Sequence, residues 1–144
     1  MKNEDTIKLL EQVNAGVKMG VSSIDDVRKK VGNAGLDEML QEYRDEHAKL
    51  GDETHEFLSE LGEKDTEPPA VAKVMSTIKT EVKLSADNSN AAVAEIITDG
   101  CNMGIKSLSK YLNEYSAADS RARDIARRLI DLETDMMRQL RAYL

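Results

Sequence analysis

The chain has 144 residues, 33 % of them charged and 3 % aromatic, with a net charge of −7. That length suffices for one domain with a real core, while the acidic balance repels phosphate backbones and argues against nucleic-acid binding. Runs of β-branched and aromatic residues with frequent turn signals are absent, which argues for long helices over strands.

Taken in chain order, a first helix is expected over about 5–31. Asn3 and Asp5 are both suitable N-caps, and Ile7, Leu10, Val13, Val17, Ile24, Val27 and Val31 keep helical spacing. VGNAG stops it, with Gly32 as the expected cap. The second helix, about 36–61, has the clearest pattern. Leu36, Leu40, Tyr43, His47, Leu50, Thr54, Phe57 and Leu61 alternate four and three apart, a seam that faces a partner helix. Gly62 ends it. GEKDTEPP reads as a loop, and residues 70–86 read as a short amphipathic crossover helix. A third long helix follows over about 90–113. The fourth, about 117–143, opens near Ser116, which stands at capping-box spacing from Asp119. Its seam is read as Ala122, Ile125, Leu129, Leu132, Met136, Leu140 and Tyr143. Two antiparallel hairpins joined by a long crossover make an all-α four-helix bundle in a single domain, 1–144.

An internal repeat supports two related hairpins. Residues 14–24, NAGVKMGVSSI, and 98–108, TDGCNMGIKSL, share G-x-x-M-G-[VI]-x-S-[IL]. Gly16 matches Gly100 and Gly20 matches Gly104; later, Leu50 matches Leu132 at a slightly smaller offset. A glycine inside a helix costs about 1 kcal/mol relative to alanine, so four of them call for a reason. One reason is core packing, with the backbones of the first and third helices approaching closely at their crossing. The other is room for a ligand, or for a bulky neighbour such as Tyr43, His47 or Tyr111.

This organisation resembles a bacterial family of uncharacterised ferritin-like four-helix-bundle proteins. The features that carry the resemblance are the two hairpins, the helical crossover, the glycines of helices one and three, and EYRDEHAKLGDETHEFLSELG before an acidic, Pro-containing loop. In catalytic ferritin-like proteins two metal ions sit in the core, held by a carboxylate from each of two helices and a Glu-x-x-His pair from each of the others. This sequence departs from that set. The central stretch of helix one offers Val17, Lys18 and Met19, that of helix three Cys101, Asn102 and Met103, and helix four has no histidine. Asp52 and His55 are the lone acid-x-x-His pair, at the flank of the seam.

No phosphate-binding glycine loop or nucleophile arrangement is present, so no catalytic residue is assigned. Cys101 is the only cysteine, which rules out an internal disulfide; it reads as a semi-buried thiol. Tyr111 and Tyr115 read as caps on the core, and Met19, Met103, Met136 and Met137 as gap-filling residues. His47 reads as a core histidine with a hydrogen-bond partner, the alternatives being a metal ligand or a proton acceptor. Residues 36–67 carry twelve acidic and three basic side chains, a solvated face or a docking surface. The leading expectation is therefore a non-catalytic bundle without a cofactor, acting through association with a second copy (a dimer) or another protein. The alternative is a degenerate metal-binding protein that holds iron or manganese through some of Glu46, His47, Asp52, His55, Glu95 and Asp99. A third reading places an apolar or haem-like ligand beside the glycines. The N-terminal stretch lacks an apolar signal core and no run has the ~18 apolar residues of a membrane span, so a cytoplasmic protein off the membrane is expected.

Overall fold

A computed structural model describes residues 3–63 and 89–144. They form four helices: α1 (Glu4–Arg28), α2 (Ala34–Glu60), α3 (Ser89–Glu114) and α4 (Ser120–Leu140), which tightens into a 3-10 turn at Arg141–Tyr143. Among the described residues there is no strand. The expected crossover helix over 70–86 lies outside them.

Local chemistry explains three of the helix ends. Asn3 caps α1, its side-chain oxygen accepting from the backbone amide of Thr6. Asn33 caps α2 in the same way through Leu36. At the other end of α2, Gly62 takes a positive φ of 77°. Its amide reaches Ser59 O and the Glu63 amide reaches Leu58 O, the doubled closure of a Schellman motif.

Two expected ends move. α1 stops at Arg28, three residues early, and Gly32 does not cap it. The amides of Gly32 and Asn33 instead donate to the side chain of Asn90, which ties the α1–α2 turn to the start of α3. α4 starts at Ser120, not near Ser116. Tertiary bonds hold the preceding turn open: the Ala117 amide donates to Asp5, the Asp119 amide to Thr6 Oγ1, and the side-chain amide of Asn3 to Ala117 O.

Cross-helix pairs fix the directions. Arg28–Asp37 and Arg44–Asp25 make α1 and α2 antiparallel. Arg121–Glu60 and Arg128–Glu53 do the same for α2 and α4, and Arg123 to Leu112 O for α3 and α4. α1 and α4 run parallel, since Thr6 meets Asp119 near their starts and Gly16 faces Leu129 farther along. Hence α2 ends and α3 begins at opposite ends of the bundle. α1 and α4 also touch across the diagonal, whereas α2 and α3 do not pack closely.

The core falls into two apolar layers. Leu9, Leu10, Val13, Leu50, Ile125 and Leu129 anchor one; Ile24, Val27, Leu36, Leu40, Met136 and Leu140 anchor the other. Each fully buried leucine in them contributes roughly 1.5–3 kcal/mol. Tyr111 and Tyr115 stack at the edge of the first layer, with ring centroids 5.9 Å apart.

Candidate functional site: a buried histidine and glutamate beside a glycine-lined cleft

Between the two apolar layers lies a polar one. His47 from α2 is 0 % exposed and Glu133 from α4 is 5 % exposed. Each follows from its helix's seam. His47 continues the alternation of α2. Glu133 continues that of α4 once it is counted as Ala122, Ala126, Leu129, Glu133, Met136 and Leu140, all buried. Leu132, expected in the seam, packs against the first layer from its edge. Leu132 is half-buried, and the neighbouring Glu133 carboxylate takes the inward position.

The Nδ1 of His47 lies 2.7 Å from the carbonyl oxygen of Tyr43. A carbonyl only accepts, so Nδ1 is the donor and the neutral ring keeps Nε2 as an acceptor. Nε2 faces Glu133 Oε1 at 3.8 Å, too far for a hydrogen bond. Among the described residues neither Nε2 nor Glu133 Oε2 has a partner. A neutral imidazole and an ionised carboxylate here point lone pairs at one another. Burial pushes the Glu133 carboxyl above its ordinary range, and the His47 imidazole draws it back only in part.

The repeat glycines surround this pair. A Cβ on Gly20 would stand 2.8 Å from His47 Cδ2, and one on Gly104 would fall inside contact distance of the Glu133 carboxylate, 2.9 Å from Oε1. Among the described residues Gly16 would meet only Leu129, at 3.5 Å, and Gly100 nothing within 4 Å. All four glycines line two adjoining cavities between α1 and α3. The smaller, about 30 Å³, takes in Gly20, Gly100, His47, Cys101 and Glu133. The larger, about 120 Å³, takes in Gly16, Gly104, Met103, Tyr111 and Glu133. Glu133 and Met19 form the wall common to both. Met103, expected to fill the core, is 38 % exposed beside the larger cavity. Cys101 is a buried thiol that burial drives to a higher pKa, which leaves it protonated and a poor nucleophile.

The glycine positions separate in a testable way. Gly100→Ala should stabilise the fold by about 1 kcal/mol, because its methyl group meets no neighbour. Gly20→Ala should cost about 1–3 kcal/mol through overpacking, since the ring it strikes is buried and hydrogen-bonded. Urea denaturation at unchanged m-value reads both.

Of the metal candidates, only His47 lies inside the bundle. Glu46, Asp52, His55, Glu95 and Asp99 are exposed, and Glu46 pairs with Lys49 at 3.0 Å. Among the described residues no three His, Cys, Asp or Glu side chains are grouped so that they could hold a metal ion. The central positions likewise do not fit a di-metal centre: Val17 and Cys101 point inward, Asn102 is exposed and Lys18 half-buried. Among the described residues the centre offers the His47 imidazole, the Glu133 carboxylate and the Cys101 thiol, short of the six side chains of the ferritin-like set. Among the described residues no helix is long and apolar enough to cross a membrane.

Compared with protein-family models, curated proteins and solved structures, the chain matches none.

Proposed function

We propose that this is a ferritin-like bundle, with α2 and α3 joined by a crossover, that binds a small organic ligand between α1 and α3 without transforming it. The observation that carries this reading is the unpartnered Oε2 of Glu133, a buried carboxylate oxygen on the wall shared by both cavities. Leaving such an atom without a partner costs about 1–3 kcal/mol or more, a cost that a ligand donor would remove. Glycines at four points along the cleft keep it open. Association through the acidic face of α2 has less behind it, because Asp37, Glu53 and Glu60 are already paired with Arg28, Arg128 and Arg121 of the same chain.

The test is calorimetric titration of the full chain with benzyl alcohol, a probe sized for the larger cavity. Saturable binding is expected, and Ser107→Phe, which builds into that cavity from a partly exposed position on α3, should abolish it. Equal binding by a folded Ser107→Phe variant would overturn the assignment.

A further inference from the structure

We infer that the ligand is a small protonated primary amine with a compact apolar body, its ammonium group held by Glu133; this rests on the small-ligand reading above. The chemistry of the wall selects the head group. Among the described residues Glu133 is the only charged one lining the larger cavity, and its Oε2 lacks a donor there. An ionised carboxylate only accepts. Across the smaller cavity His47 Nε2 also lacks a partner, and with Nδ1 engaged by Tyr43 O the neutral ring offers a second acceptor. Two acceptors at one place call for a donor-rich group. An ammonium supplies three N–H bonds and no lone pair, so it can donate to both acceptors. A hydroxyl supplies one donor and brings lone pairs of its own. A ligand carboxylate would meet a like charge in a site whose described lining residues include no cation.

The remaining walls select the body. Met19, Met103 and Leu108 give the larger cavity an apolar lining, and Tyr111 adds an aromatic one. Its volume of about 120 Å³ is close to that of an engineered cavity of about 150 Å³ that accepts benzene. A single ring or a short branched alkyl group therefore fits, and a haem does not. Thioether side chains are unbranched and adaptable, so the lining can follow bodies of different outline.

The experiment titrates the full chain with benzylamine, benzyl alcohol and phenylacetate, which share a ring and differ in the head group. Benzylamine should bind at least about tenfold more tightly than benzyl alcohol, the margin of a charge-assisted hydrogen bond, and phenylacetate should not bind. Glu133→Gln keeps the shape and removes the charge, so it should bring the amine and the alcohol to within about twofold of each other. Circular dichroism of each variant establishes that it is folded. If benzyl alcohol binds as tightly as benzylamine and Glu133→Gln changes neither, the amine assignment fails while the cleft reading stands. If neither compound binds the wild-type chain, the cleft reading fails and the amine assignment with it.

Discussion

Replacing His47 by leucine should destabilise the protein by about 3 kcal/mol near neutral pH, the scale for breaking a buried polar pair. The double substitution His47→Leu with Glu133→Leu should recover most or all of that loss. The single change fills the space but takes the imidazole away from Glu133, so its carboxylate must be neutralised against the pH or remain as an uncompensated buried charge. The double change completes a continuous apolar seam between the two layers, from Leu129 to Met136 on α4 and from Leu40 to Leu50 on α2. Buried pairs replaced by apolar residues of similar volume are often as stable or more so. A double variant less stable than His47→Leu alone would mean that the pair is a structural strut, not a polar group retained for binding. Urea midpoints of the four proteins in the cycle give the answer.

The second large effect is a pH dependence. The folded-state pKa of Glu133 lies above its unfolded value, burial being the larger cause. A raised carboxyl pKa contributes stability that is fully present below the unfolded value, about 4.3, and is lost as pH rises through the folded value. Each unit of elevation is worth about 1.4 kcal/mol. Glu133→Gln has no such titration, so its stability relative to wild type should increase from pH 5 to pH 8. His47 from α2 and Cys101 and Tyr111 from α3 surround the carboxyl, and the residues of α1 on the shared cavities carry no titratable side chain. Those neighbours remain in the variant, so the difference curve isolates Glu133 to first order. A stability gap that is the same at pH 5 and pH 8 would contradict the elevated pKa.

The helices were legible because their signals are local and periodic. The strict seam of α2 placed His47 inside, and Asn3 and Gly62 marked two ends through side-chain and backbone chemistry that depends on a few residues alone. The start of α4 was not legible, because Asn3, Asp5 and Thr6 fix it from more than a hundred residues away. Half of the site was also missed. Glu133 is masked in the pattern by Leu132 beside it, the better apolar residue, although counting four and three from Ala122 reaches Glu133. The repeat gave a second clue that only three dimensions make specific. At the offset that relates the later parts of the hairpins, His47 matches Leu129, and Glu133 stands one turn beyond. The second glycine of each repeat thus faces a polar side chain of its own hairpin partner, at places one turn apart.

The most direct measurement follows the side-chain carboxyl carbon of Glu133 by isotope-edited NMR, first with added benzylamine and then with manganese(II). A saturable shift with the amine, and no stoichiometric broadening by the metal, is expected of a bundle whose centre binds a small organic cation. Broadening of the Glu133 and His47 signals by one equivalent of manganese, with no response to the amine, would instead identify a metal site.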